Sequence, residues 1–378
     1  MSIEKGVKMK EKIFLSSPHM SEEGYEQVFI QEAFDKNWIA PQGANVDGFE
    51  KEIADYVNSG YAAALSSGTA ALHLAVKLAG VEKDDIVFVQ SLTFSASANI
   101  VLYEGAKPVF IDSEEKTWNM DPDALEAAFK KYPEVKAVIV VHLYGMSADM
   151  DRITELCDKY DVVLIEDAAE SLGARYKNQA SGTHGDYGIY SFNGNKIITS
   201  SGGGMLVSND KAAIDKARFW ATQSREDLPY YEHKEIGYNY RLSNISAGIG
   251  RGQLKVLDRR VKKKRYIYEF YKKELAEIED IHFMPENEWD YSNRWLSCIL
   301  LSGSHKPSEL INKLADENIE ARHLWKPMHL QPVFESYDYI GNQVSEKLFN
   351  TGVCLPSDTK MTDDDLYRVC RVIKGLWK

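Results

Sequence analysis

Between about Tyr61 and Asp210, short apolar runs alternate with amphipathic stretches. Ala62-Ala63-Ala64-Leu65 leads into a helical pattern from Thr69 to Leu78, and Ile86-Val87-Phe88-Val89 is followed by Ser95 to Tyr103. Val109-Phe110-Ile111 precedes a helix for which Asp121 supplies the N-cap and Pro122 the first position. Val138-Ile139-Val140-Val141 and Val162-Val163-Leu164-Ile165 flank another helix, around Arg152 to Tyr160. Runs this apolar and this short suit strands covered on both faces, so the pattern predicts an α/β fold with a mainly parallel sheet and helices packed outside. After Asn244 the texture changes. The charged stretch Gln253 to Glu277 keeps apolar residues at helical spacing and reads as a solvated connecting helix. Beyond Ile281 the order is strand-like (Trp295 to Leu301), helical (Pro307 to Glu317) and strand-like (Ile319 to Leu324). A closing helix from about Asp363 has Thr362 as N-cap and Asp365 in the capping-box position. The expected organisation is a large α/β domain over residues 1–250 and a smaller C-terminal α+β domain over 251–378, which includes the connecting helix.

Composition narrows the function. Hydrophobic residues make up 44% of the 378 and aromatics 11%, enough for a sizeable core and too much for disorder. With 45 Lys+Arg against 57 Asp+Glu, the net charge of -12 argues against a nucleic-acid partner but leaves room for a small anion held locally. Cys157, Cys298, Cys354 and Cys370 form no CxxC pair and read as structural thiols of a reduced chain. Met1-Ser2-Ile3-Glu4-Lys5-Gly6 precedes only the short Ile13-Phe14-Leu15 stretch, and no run approaches the ~20 apolar residues of a membrane span. The expectation is a cytoplasmic protein without membrane contact. The nine histidines show no metal spacing, so no metal is expected.

Three stretches carry candidate chemistry. Ser66-Ser67-Gly68-Thr69-Ala70-Ala71-Leu72 lies at a strand-to-helix junction, where free N–H groups and the helix dipole suit a phosphate, or where Ser67 simply caps a core helix. It has neither the Gly-Lys-Ser/Thr of a P-loop nor the GxGxxG of a dinucleotide turn. Val162 to Glu170 is an apolar strand ending in carboxylates, which suit a protonated heterocyclic nitrogen, a magnesium ion or a plain helix cap at Asp167. In Tyr190-Ser191-Phe192-Asn193-Gly194-Asn195-Lys196, followed by Gly202-Gly203-Gly204, a lysine sits in a turn dense with small residues. A confined lysine becomes a nucleophile able to form a Schiff base. A phosphate cradle, an acid for a ring nitrogen and a lysine for an aldehyde are together what pyridoxal phosphate requires. Phe94 follows the next strand and is placed to stack on such a ring.

On these stretches, with Leu15 to Met20, Asn37 to Pro41 and Gly237-Tyr238-Asn239-Tyr240-Arg241, the chain resembles the DegT/DnrJ/EryC1/StrS sugar aminotransferases over nearly its whole length. The resemblance implies aminotransferase fold type I and pyridoxal 5'-phosphate as cofactor. It makes Lys196 the catalytic Schiff-base lysine and Asp167 the partner of the ring nitrogen. Gly68, Thr69 and Ser191 would hold the phosphate, Phe94 would stack on the ring, and Glu170 would sit near its hydroxyl edge, where the family often has Gln. Asn239 would reach the cofactor phosphate of a neighbouring subunit, so a homodimer with shared sites is implied. Trp38, Arg241, Trp325 and His329 are candidate substrate contacts, each with an equally ordinary structural role open to it.

Lysine rather than histidine at position 196 favours transamination over dehydration. Within the family, Val141 to Gly145, Asn193 to Thr199, Ser292 to Ser297 and Leu324 to His329 resemble enzymes that act on a UDP-linked 4-keto-6-deoxy-N-acetyl hexosamine. L-Glutamate would be the amino donor. Alternatives are the same chemistry on a dTDP- or GDP-linked keto sugar, at C3 or C4, an NAD-dependent sugar oxidoreductase, which the missing GxGxxG opposes, and a regulatory protein keeping only the cofactor shell.

Overall fold

The computed structural model describes residues 11–377. Met1 to Gly6, read above for the lack of an apolar leader, lie outside the described residues. Eight strands form the main sheet: β1 (Tyr61–Leu65), β2 (Ile86–Gln90), β3 (Lys107–Ile111), β4 (Ala137–Val141), β5 (Val163–Asp167), β6 (Tyr187–Ser191), β7 (Gly204–Ser208) and β8 (Tyr339–Ile340). Their spatial order is β1-β7-β6-β5-β4-β2-β3-β8. From β8 to β6 all pairings are parallel, whereas β7 is antiparallel to both β6 and β1. All five residues of β4 are buried, as its unbroken apolar run predicts. Register sets Val141 beside Asp167 and Asp167 beside Ile189, so the carboxyl ends of β4, β5 and β6 are neighbours. Open α/β sheets receive their ligands outside such ends.

Helix starts follow their caps. The Ser67 hydroxyl accepts the Ala70 N–H at 3.0 Å and opens the helix Gly68–Leu78 directly after β1. Asp121 accepts the Asp123 N–H at 2.9 Å, with Pro122 at the first position of Pro122–Lys131. Thr362 and Asp365 close a reciprocal capping box at the start of Asp363–Lys374. The helix expected around Arg152 begins at Met150, because Asp149 supplies the cap.

Two expectations need correction. The charged stretch from Gln253 is two helices, Asn244–Leu254 and Leu257–Glu274, and the second is not a solvated connector. It buries Arg260 and Lys264 along with Ile267, Tyr268 and Tyr271, because the long basic side chains find backbone acceptors inside. Arg260, for one, donates to the carbonyls of His19 and Met20 at 2.9 Å each. Of the stretch Ile319 to Leu324, only Arg322–His323 is strand; Ile319 forms an isolated parallel bridge with Ile13.

A second, antiparallel sheet orders Ile281–Phe283, Ser297–Leu301, Gly352–Leu355 and Arg322–His323. Its core includes Ile267, Tyr271, Leu310 and Leu366. The C-terminal part also returns β8 to the edge of the large sheet beside β3. There the Asp112 carboxylate accepts the N–H groups of Asn342, Val344 and Ser345, each at 2.9 Å. No helix among the described residues is long and apolar enough to cross a membrane. The four cysteines are buried and carry no disulfide.

Candidate active site

A cavity of about 250 Å³ opens at the carboxyl ends of β4, β5 and β6. Gly68, Thr69, Phe94, Asp167, Glu170, Ser191, Lys196 and Trp325 all line it, so residues read separately along the chain meet in one place. Two tight approaches shape its floor. A Cβ on Gly68 would press on the Ser191 Cβ at 3.1 Å, and one on Gly204 would fall 2.3 Å from the Ser67 carbonyl oxygen. Only small residues allow the start of helix Gly68–Leu78 to sit this close to the ends of β6 and β7. The first N–H groups of that helix have no partner inside it and therefore suit an anion.

Strand alternation sorts the two adjacent acids at the end of β5. Glu166 is buried against the His142 imidazole at 2.7 Å and takes the Gly182 N–H at 2.8 Å, away from the cavity. Asp167 lines the cavity while remaining 5% exposed. It accepts the Ser97 hydroxyl at 2.7 Å and the Ala169 N–H at 3.2 Å. Burial pushes its carboxyl above the ordinary value, and these two donors and the nearby Lys196 pull against that. Among the described residues no cationic side chain pairs directly with it. A cationic ring nitrogen in the cavity would complete this carboxylate, and a bare metal ion would find too few oxygens. No cluster of three or more metal-binding side chains occurs among the described residues.

Lys196 lies in the turn after β6, its N–H bonded to the Asn193 carbonyl at 3.0 Å. The amine rests 4.2 Å from the centre of the Trp295 ring and 3.6 Å from Glu170 Oε1. The other Glu170 oxygen accepts the Tyr144 N–H at 2.7 Å. Burial raises the Glu170 carboxyl above the ordinary range, and the Lys196 charge opposes the rise. Trp325 roofs the site, with its backbone N–H on the Tyr144 hydroxyl at 2.8 Å and its ring near-parallel to that of Tyr144. Phe94, 54% exposed, stands at the mouth 5.3 Å from Trp325.

Four predicted residues lie elsewhere. Trp38 donates its indole N–H to the Gln42 carbonyl at 2.8 Å and sits beside a separate surface hollow. Both His329 ring nitrogens are engaged, by Ser91 Oγ at 2.7 Å and Glu346 at 3.3 Å, and the ring stacks on Tyr339. Asn239 is exposed on a segment that bridges Thr222, outside the cavity. Arg241 bridges Leu65 through its backbone, and its Nε is buried without a partner. Sequence reasoning did not single out Ser97, Tyr144 or Trp295. Ser97 follows Phe94 by three residues, inside the helical pattern from Ser95 to Tyr103, and nothing local marks its reach to Asp167. Tyr144 and Trp295 stand inside stretches noted for their resemblance, without any role assigned to them.

The DegT/DnrJ/EryC1/StrS aminotransferase family model matches residues 20–374. The chain is 55% identical to "Putative pyridoxal phosphate-dependent aminotransferase EpsN" of Bacillus subtilis (strain 168), covering 98% of this chain and 97% of the relative. It is 37% identical to the GDP-perosamine synthase of Escherichia coli O157:H7, over 94% and 96% of the two chains. To the UDP-4-amino-4,6-dideoxy-N-acetyl-beta-L-altrosamine transaminase of Campylobacter jejuni subsp. jejuni serotype O:23/36 (strain 81-176) it is 33% identical, over 90% and 93%. Among solved structures, a DegT DnrJ EryC1 StrS aminotransferase from Brucella abortus superposes with a TM-score of 0.87 at 28% identity, over 94% and 95% of the chains.

Proposed function

The chain belongs to the DegT/DnrJ/EryC1/StrS aminotransferase family, and from that premise we propose that it moves the amino group of L-glutamate to C4 of a UDP-linked 4-keto-6-deoxy-N-acetyl hexosamine. Membership makes it a pyridoxal phosphate-dependent aminotransferase acting on nucleotide sugars. The observation that carries the amino-transfer reading is the Lys196 amine, held in the cavity between the Trp295 ring and Glu170. The four stretches that resemble UDP-keto-sugar enzymes support the substrate, since each contributes to this one cavity, through Val141, Lys196, Trp295 and Trp325. The products are a UDP-4-amino-4,6-dideoxy-N-acetyl sugar and 2-oxoglutarate.

When bound, pyridoxal phosphate supplies an aldehyde that carries nitrogen and a ring that withdraws electrons. Gly68 and Thr69 would hold its phosphate through their N–H groups, with the Ser191 hydroxyl beside them. Asp167 would hold the ring nitrogen protonated, because among the described residues no cationic side chain pairs directly with it. Glu170 keeps one oxygen on the Tyr144 N–H and turns the other toward Lys196. The Lys196 Nζ would take the proton from the α-carbon of glutamate and deliver it to the carbon that had been the cofactor's aldehyde, on the other side of the nitrogen being transferred. Trp325, Tyr144 and Trp295 screen that transfer from water. Asn239 and Arg241, both outside the cavity of one chain, fit a homodimer in which a second copy completes the site.

The GDP-perosamine synthases keep a GDP-linked substrate in play as the second reading. The test is spectroscopic. Purified protein should show the visible band of lysine-bound cofactor, glutamate should bleach it, and UDP-, GDP- and dTDP-linked keto sugars should be compared for its return. Recovery fastest with the UDP sugar, and parallel double-reciprocal plots, support the proposal; recovery with the GDP sugar alone refutes the nucleotide.

A further inference from the structure

Lys264 stands in the middle of the charged helix Leu257–Glu274, yet it is 1% exposed and ranks among the largest fully buried side chains. Burial pushes its amine down to about 7. Its hydrogen bonds go to neutral groups: Nζ donates to Ser16 Oγ at 3.1 Å and to the Trp295 carbonyl at 2.9 Å. Both acceptors lead on to a single atom. The Ser16 hydroxyl donates to the Asn195 carbonyl at 3.0 Å, and the Trp295 indole N–H donates to the same oxygen at 2.9 Å. Lys264, Ser16, Asn195 and Trp295 therefore close a ring of four hydrogen bonds. The next residue along the chain is Lys196, whose amine rests over the Trp295 ring.

The ring has a fixed direction. The Asn195 carbonyl can only accept, so the Ser16 hydroxyl spends its one hydrogen there and its oxygen must accept from the Lys264 amine, whether that amine is charged or neutral. A neutral, apolar side chain at position 264 would free that hydroxyl to rotate and leave the Trp295 carbonyl unpaired. A buried ammonium bonded only to neutral groups costs stability, and an apolar side chain of similar length avoids the cost. We infer that Lys264 is a positioning residue for Lys196: it locks the Asn195 peptide and the Trp295 indole, and through them aims the Lys196 amine at the incoming aldehyde. The inference rests on the reading of Lys196 as the reacting amine.

The experiment measures how fast the full-length chain, stripped of cofactor, captures added pyridoxal phosphate, read as growth of the visible band. Borohydride reduction and mass spectrometry then locate the tag. Lys264→Met and Ser16→Ala should each slow capture about tenfold or more, as expected when a reacting group is displaced slightly. The double variant should be no slower than Lys264→Met, since both act through one ring. In turnover, kcat should fall while KM for the keto sugar stays unchanged. Lys262→Met, at an exposed position on the same helix, should match the parent protein. If Lys264→Met does not fold, Ser16→Ala decides alone. Capture at the parental rate by folded variants overturns the inference, even where the melting temperature has dropped. Absence of a tag at position 196 in the parent chain overturns the reading of Lys196 instead.

Discussion

Replacing Asp167 by Asn tests whether its buried charge is kept for a cationic ligand. The carboxylate is 5% exposed and, among the described residues, accepts the Ser97 hydroxyl and the Ala169 N–H, both of which an amide can satisfy after the hydroxyl rotates. Burial raises its carboxyl in the cofactor-free fold. The folded chain thus retains a proton that the unfolded chain has released, and stability falls as pH rises from the ordinary carboxylate range through the raised value. Asp167→Asn removes that fall, so at neutral pH the cofactor-free variant should melt no lower than the parent, and higher if anything. With cofactor the order reverses. A hydrogen bond to a charged group contributes about 2 kcal/mol, so cofactor should dissociate about 30-fold more readily from the variant. Turnover should fall by at least as much, because the contact tightens as negative charge moves onto the ring. Melting curves with and without pyridoxal phosphate, beside a cofactor titration, measure both halves. A variant that melts several degrees lower without cofactor, or that binds it as tightly as the parent, would refute the argument.

Lys196→Ala should abolish turnover and the borohydride tag while leaving the melting temperature of the cofactor-free protein within a few degrees; substantial remaining activity would reassign the nucleophile. Glu170→Gln should flatten the stability–pH curve of the cofactor-free chain. Burial raises that carboxyl too, so the parent loses stability as pH climbs from the usual glutamate range through the raised value, and the melting-point gap between variant and parent should widen over that interval. Equal slopes would mean Glu170 does not titrate there. Asp112→Ala strips three backbone N–H groups of their acceptor and should destabilise the fold by about 3 kcal/mol or more, read from the urea midpoint. An unchanged midpoint would mean water replaces the carboxylate.

Much of this site was legible because its parts sit at ends of strongly patterned elements. The apolar runs from Ala62 to Ile165 placed β1 to β5, the glycine at the helix start and the carboxylates fell at the ends of those runs, and Lys196 stood out in a turn dense with small residues. Lys264 was illegible for a physical reason: in a stretch of basic residues nothing local says which one turns inward, and burial is decided by Ser16 and Trp295, far away in sequence. The partners of His329 were hidden for the same reason, because Ser91 and Glu346, which occupy both ring nitrogens, come from distant segments. The two-residue strand β8 is too short to give a periodic signal, yet Asp112 clasps the turn that follows it. Ser97 likewise acts across the sheet on Asp167, a contact that no spacing along one helix could announce.

Trp295 and Trp325 come from the late part of the chain, while the helix start that lines the same cavity lies at Gly68. During synthesis, then, the scaffold for the vitamin emerges long before its walls do. A ribosome-bound fragment ending after β7 would carry Lys196 on an open, wet shelf with no indole beneath it. Stable loading of the coenzyme should therefore wait until the stretch that carries Trp325 has emerged and docked over the sheet ends.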